Sequence, residues 1–219
     1  LKALSGRLAI RLTGQKSPTA ELVALALSYA HCRTEKNNEP CWLSLRNGFF
    51  IPVDDVRDLL PPLRDFTKED EQAVDIESNH SDAKFSPGLR PDLIYVSLTR
   101  KGMCFSFVEV KYRRHLRDVR SRDLLEHLRQ QIETLRQQWE EWYCDPDLPQ
   151  TLAAVRRAKL ARVLKFYADK AHRHADLNEG IGFAQEAYEE FLSEIDRMIE
   201  KGQDYRFAMG SENDRGWVF

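Results

Sequence analysis

The chain is short of several things, and each shortage excludes something. Nowhere in its 219 residues does an apolar run approach the roughly 18–20 residues that a bilayer-spanning helix needs, so no membrane-spanning helix is expected. No charged-then-apolar leader opens it, which argues against a secreted precursor. The four cysteines, Cys32, Cys41, Cys104 and Cys144, contain no C-x-x-C pair. They are too scattered for a disulfide framework, so reduced, buried thiols in a cytoplasmic setting are expected. His31, Cys32 and Cys41 match no zinc-ligand spacing. There is no Gly-rich phosphate loop, so any ATPase motor must lie elsewhere, and there is no Ser or Cys nucleophile signature. Aromatic residues, at 10%, are too plentiful for a disordered chain. No internal repeat or low-complexity stretch is visible.

What is present suits one domain with a helical addition: 42% of residues are hydrophobic and 31% charged, with a net charge of −2. A core over residues 1–145 and a helical elaboration with a terminal strand over 146–219, packed on that core, are expected. The chain opens on Leu1 and stops at Phe219 inside the strand-like Arg215–Phe219. A piece of a longer polypeptide is the expectation.

Ser17-Pro18 followed by Glu21 reads as a helix start, with an N-cap, a proline in the first turn and an acid against the dipole. Leu22 to Ala30 is apolar on nearly every face, as in a helix buried on most sides. Asn47-Gly48 between Cys41–Arg46 and Phe49–Val53 predicts a β-hairpin. From Asp54 to about Pro87 the chain is polar and acidic, an irregular connection with one short helical turn. Arg90–Leu98 and Met103–Tyr112 read as strands joined at Arg100-Lys101-Gly102. Three helical stripes follow. The first runs Leu124, Leu128, Ile132, Leu135, Trp139, Trp142 and is stopped by Asp145-Pro146. The second runs Leu152, Val155, Leu160, Val163, Leu164, Tyr167. The third runs Phe183, Ala187, Phe191, Leu192, Ile195, Ile199 and closes at Gly202. A last strand is expected at 204–209 or 216–219. The order predicts an α/β sheet with helices packed on it.

One constellation carries chemistry. Pro91-Asp92 opens a strand, and Glu109-Val110-Lys111 lies on its hairpin partner. Side chains two apart on a strand share a face, so Glu109 and Lys111 project together while Val108 and Val110 face apolar packing. Asp92 on the neighbouring strand can reach the same spot. Two carboxylates beside one ammonium suit a hard divalent cation, which prefers oxygen ligands and retained waters. Such a cation makes water nucleophilic near neutral pH, and the lysine can orient or deprotonate that water. The competing reading is a cross-strand salt bridge worth about 0–1 kcal/mol. The strongly apolar strands favour use over ornament, because charge on a half-buried sheet is costly.

These residues resemble the PD-(D/E)xK nuclease superfamily. Pro91-Asp92 and Glu109-Val110-Lys111 read as its motif, with the acid in the E form, and the likeness spans roughly Ser17 to Tyr143 in the order helix, strand, strand, strand, helix. The resemblance implies a restriction-endonuclease-like fold: a mixed central sheet flanked by helices, here with a C-terminal helical elaboration. It implies catalytic roles for Asp92, Glu109 and Lys111, support from Glu21 on the first helix, and Mg²⁺ or Mn²⁺ held by Asp92, Glu109 and the Val110 carbonyl. A polar residue from the following helix, Gln131 or Gln130, would join the cleft.

Charge is also segregated. Lys111, Arg113, Arg114, Arg117, Arg120 and Arg122 stand against Asp118 alone, running straight out of the candidate site. A second basic block, from Arg156 to His174, is opposed only by Asp169. A phosphate backbone would lie along the first block, with Arg113, Arg114, Arg117 and Gln131 as nucleic-acid contacts. A solvated helix face is the plainer reading of the second. His172 and His174 are two apart and so do not share a helical face. The expected function is metal-dependent hydrolysis of DNA phosphodiester bonds. The resemblance to the nuclease superfamily implies DNA as partner and, by analogy, a linked or associated ATPase/translocase of a bacterial defence or restriction protein, with a homo-oligomer also in view. The alternatives are a nuclease-like fold that binds without cutting, and a helical assembly module.

Overall fold

The longest strand is the hub of the sheet. In a computed structural model, described over residues 26–28, 30, 32, 43–53, 56, 59, 92–111, 122–176, 183–209 and 214–218, strand β3 spans Gly102–Lys111. Its first nine residues are all buried. β2 (Leu93–Thr99) pairs with it antiparallel, with Leu93 opposite Val108 and Thr99 opposite Gly102. The connecting turn is Arg100 and Lys101. Gly102 follows at φ 111°, a conformation glycine alone adopts without strain. The Thr99 hydroxyl closes the turn, donating to the Gly102 carbonyl and accepting from the Lys101 amide. This hairpin is the one expected from the sequence.

β1 (Gly48–Pro52) lies antiparallel on the far side of β2 and, among the described residues, is an edge strand, where Pro52 can lack an N–H without breaking a ladder. Among the described residues the hairpin expected between Cys41–Arg46 and Phe49–Val53 is not seen: β1 pairs with β2 and Ser44 to Asn47 make a turn, while Cys41 and Trp42 lie outside the described residues. The Ser44 hydroxyl accepts the Arg46 amide, an ST-turn, and the Asn47 amide donates to the Ser44 carbonyl. Gly48 is needed for closeness instead of turn geometry. A Cβ there would stand 2.5 Å from the Val96 carbonyl oxygen and 2.6 Å from the Tyr95 ring. The bare backbone lets Tyr95 lie across it and donate to the Ser44 carbonyl at 2.7 Å.

Three helices follow β3: α1 (Arg122–Tyr143), α2 (Gln150–Asp176) and α3 (Gln185–Lys201). The chain then returns to the free edge of β3 as two short parallel strands. β4 (Ala208–Met209) pairs with Cys104 and Phe105, and β5 (Arg215–Val218) pairs with Val108 to Lys111. Both segments proposed for a last strand are therefore strands. Parallel pairing is possible because the helices supply the long crossover that it requires. The fold is mixed α/β, and residues beyond 146 complete both the sheet and its core.

The pleat divides the sheet's side chains between two cores. Phe49, Ile51, Ile94, Val96, Phe105 and Phe107 meet the helices, with Phe105 and Trp139 ring centroids 4.6 Å apart and Phe49 and Phe191 at 5.0 Å. Leu93, Tyr95, Val108 and Val110 meet Cys32, Leu43 and Leu45 on the other face. Residues 26–28, 30 and 32 are helical, with Ser28 and Cys32 inward. Leu27 and Ala30 are exposed, and the rest of the apolar Leu22–Ala30 stretch, apart from 26 and 28, lies outside the described residues. Val53, Val56 and Leu59 form 3₁₀ turns, all three buried. The remainder of Asp54–Pro87 lies outside the described residues.

α1 buries Leu124, Leu128, Ile132, Leu135 and Trp139 of the stripe expected of it, while Trp142 is only partly buried. α2 is phased differently. Leu152 and Val155 are exposed, while Ala153, Arg157, Leu160, Leu164 and Tyr167 are buried. Arg157 takes the inward position because its Nη2 donates to the carbonyls of Tyr143 and Tyr205, each at 3.3 Å. In α3, Met198 is buried in place of the expected Ile199, and the helix closes at Gly202 (φ 52°) as expected.

Candidate active site

Asp92 sits one residue before β2. Extending the Leu93–Val108 register by one residue places it opposite Glu109. Its backbone carbonyl accepts the Val53 amide at 3.0 Å, and its carboxylate Oδ2 accepts the Val110 amide at 2.9 Å. Asp92 thus ties the end of β1 to the end of β3, its side chain standing in for a strand carbonyl. Asp214 does the same at the other edge. Its Oδ1 accepts the Phe107 amide at 2.8 Å, and Arg136 of α1 forms an ion pair with its other oxygen. Asp214 did not emerge from the sequence reading, although it carries the same signal as Asp92: an aspartate directly before a strand.

Glu109 and Lys111 project from the same face of β3, as the pleat requires, and are joined by an ion pair. Glu109 is 1% exposed and the Lys111 side chain 17% exposed. Val110 points the other way, into the core with Cys32 and Leu43. Across the parallel ladder Glu109 faces Gly216 and Lys111 faces Val218. A Cβ on Gly216 would come within 3.2 Å of Leu128, so glycine there lets the first turns of α1 settle close to the strand.

Gln131 is buried, 4% exposed, on the next turn of α1. Trp139 packs on Phe105 and Phe107. Leu128, three residues before Gln131, packs on Gly216, the ladder partner of Glu109, so Gln131 lies about one helical turn from that level. Three of the expected site residues (Asp92, Glu109 and Lys111), and the Val110 backbone, therefore converge on one end of the sheet, with Gln131 buried on the helix that covers it. Glu21, Arg113, Arg114 and Arg117 lie outside the described residues.

The donor set is carboxylate oxygen from Asp92 and Glu109 on adjacent strands. Among the described residues no three or more His, Cys, Asp and Glu side chains converge as a metal cluster. Mg²⁺ is commonly held by one or two carboxylates and keeps several waters, so two carboxylates are a chemically sufficient set.

Other candidates resolve into structure. His172 stacks on Tyr188 at 4.5 Å, with Nδ1 3.1 Å from the Phe183 carbonyl. In the second basic block Arg156 lies 3.4 Å over the Trp142 ring and donates to its carbonyl, and Arg157 is buried as described. Lys159, Arg162, Lys165 and Arg173 remain exposed. A cavity of about 500 Å³ opens at the C-terminal end of α1, lined by Glu140, Glu141, Cys144, Asp145, Tyr205, Arg206, Phe207 and Met209. Burial and the nearby Glu140 raise the Cys144 thiol pKa, which disfavours a thiolate nucleophile there. Among the described residues no helix is long and apolar enough to cross a membrane.

Compared with protein-family models, with curated proteins and with solved structures, the chain has no match.

Proposed function

We propose that this chain is a metal-dependent nuclease domain of the PD-(D/E)xK type, with a restriction-endonuclease-like fold, that hydrolyses DNA phosphodiester bonds. One observation carries the reading: Asp92 and Glu109 stand opposite each other at one end of the sheet, with Lys111 on the same face beside Glu109. Asp92 and Glu109 would hold Mg²⁺ or Mn²⁺, with the Val110 carbonyl as the further ligand that the resemblance implies. The bound cation would supply charge stabilisation at the phosphate and an acidified water.

The chain's own residues do the rest. The hydrogen bond from the Val110 amide keeps the Asp92 carboxylate aimed along the strand ends. Lys111 holds a positive charge beside Glu109, placed to orient water and to offset charge developing on the phosphate. Gln131 offers an amide from the helix above. Glu21 and Arg113, Arg114 and Arg117 are proposed as the supporting acid and the backbone-phosphate contacts. A larger cytoplasmic restriction or anti-phage protein, with an ATPase/translocase as partner, is the proposed setting.

A second reading draws on a different feature. Glu109 is almost fully enclosed and already neutralised by Lys111, as in a nuclease-like fold that binds or assembles without cutting. Calorimetric titration with Mn²⁺ separates the two. The nuclease reading expects uptake by the wild type that Asp92→Asn and Glu109→Gln each remove. Heat that is absent, or unchanged in both variants, supports the non-cutting reading.

A further inference from the structure

We propose that the outer surface of α2 and α3 is a self-complementary docking face on which a second copy of this chain binds with two-fold symmetry. On α2 the positions 152, 155, 159, 162, 166 and 173 follow a three-and-four spacing opposite the core-facing stripe, so they share one outward face. They are Leu152, Val155, Lys159, Arg162, Phe166 and Arg173. The three apolar members are 40%, 49% and 53% exposed. Large apolar side chains in a row with cations between them are what an amphipathic interface shows, not what a solvated face shows.

α3 offers the opposite charge. Its outward residues include Glu186, Glu189, Glu190, Asp196 and Glu200, interrupted by the half-exposed Arg197, which is ion-paired to Glu194, with Ile199 at its flank 51% exposed. The two helices are antiparallel neighbours in one layer. Tyr188, near the start of α3, hydrogen-bonds to Asp169 and stacks on His172, while Tyr205, just past its end, receives Arg157. A basic-apolar ridge thus runs directly beside an acidic one.

That pairing selects both the occupant and the symmetry. A nucleic acid laid on α2 would lie along the acids of α3, which repel phosphate. A second copy turned about an axis parallel to the helices sets α2 of one copy over α3 of the other, twice. An axis at right angles within that plane would set α2 on α2, with cation against cation. About seven residues from the Asp169–Tyr188 contact in each direction, Arg162 comes level with Asp196, and Lys159 with Ile199 and Glu200. In the proposed pair these become the cross-copy partners. α2 is about 40 Å long and α3 about 25 Å. Each α2–α3 overlap is limited to the length of α3, so the two offer on the order of 500 Å² per copy, the size of a small interface beside the roughly 800 Å² of a standard one.

The inference stands apart from the nuclease reading, because its test involves no metal and no cleavage. Sedimentation equilibrium of the chain would be run at low and high salt. The variants are Lys159→Glu/Arg162→Glu and Asp196→Lys/Glu200→Lys, all at exposed positions, with circular dichroism to verify folding. The expected results are a wild-type dimer whose dissociation constant rises about tenfold or more at high salt, and two monomeric variants. Mixing the two variants restores both contacts, so a heterodimer is expected. A wild type that stays monomeric at about 100 μM overturns the proposal. So does a dimer that survives both reversals, or a wild type that never self-associates while Lys159→Glu/Arg162→Glu weakens binding to a DNA duplex.

Discussion

The carboxylate of Asp92 accepts the backbone amide of Val110 at 2.9 Å, so the residue proposed to hold a metal also terminates the sheet. Asp214 makes the matching bond to Phe107 on the opposite edge of β3. β3 is clasped on both sides by aspartates that precede its neighbouring strands. Structure and proposed chemistry meet in the first of these and can be pulled apart by substitution.

Asp92→Asn keeps an oxygen that can accept the Val110 amide, whereas Asp92→Ala removes it. Urea unfolding followed by circular dichroism should place Asn within about 1 kcal/mol of wild type and Ala lower by about 1–3 kcal/mol. Equal losses in the two variants would mean that this bond does not support the sheet.

Lys111 is the cation of a nearly enclosed ion pair. Lys111→Met keeps most of the side chain's volume but withdraws that charge from Glu109, a buried carboxylate. The change should cost about 2 kcal/mol or more. Adding Glu109→Gln removes the charge left behind, so the double variant should recover much of the loss. A double variant no more stable than Lys111→Met would argue that the pair is not coupled.

Two glycines should respond to alanine by different routes. At Gly48 the new methyl meets the Val96 carbonyl and the Tyr95 ring, so Gly48→Ala should cost about 2–3 kcal/mol and loosen the Ser44 turn. At Gly202 nothing lies within 4 Å, and the positive φ alone opposes the substitution, for about 1–2 kcal/mol. Chemical denaturation ranks them. Gly48→Ala as the milder change would contradict the packing account.

Alkaline stability has a defined sign. Burial pushes the Tyr143 phenol above its usual range, opposed by Arg156, and its hydroxyl donates to the Leu59 carbonyl at 2.7 Å. Burial, then the hydrogen bond to Glu194, does the same to Tyr205, which also accepts the Met103 amide. A raised phenol pKa means that the unfolded chain ionises first. This contribution is therefore complete below about pH 10 and is lost as pH rises beyond it. Urea midpoints measured from about pH 8 to 11 should fall more steeply in wild type than in Tyr205→Phe. Identical slopes would count against Tyr205 as a source of the alkaline loss.

Local patterns were legible where one physical cause decided them. The β2–β3 hairpin follows from a two-residue turn closed by glycine, α1 from an unbroken apolar stripe, and the end of α3 from Gly202. The shared face of Glu109 and Lys111 follows from the pleat alone. Readings failed where a distant contact overrode the local signal. Asn47-Gly48 is a strong hairpin cue, yet Gly48 serves the approach of Tyr95, about fifty positions away. Arg157 reads as solvated, but it faces inward because the carbonyls of Tyr143 and Tyr205 need a donor. Asp214 precedes its strand as Asp92 does, but its partner amide is more than a hundred residues upstream and no local pattern joins the two.

The most direct test of the central claim is cleavage of supercoiled plasmid and labelled single-stranded DNA in Mg²⁺, Mn²⁺ and EDTA. Wild type would be compared with Asp92→Asn and Lys111→Met, each shown to be folded. Metal-dependent nicking that EDTA stops and both substitutions abolish is the predicted result. Cleavage that persists in folded Asp92→Asn, or wild type that binds DNA without cutting it in either metal, would contradict the account.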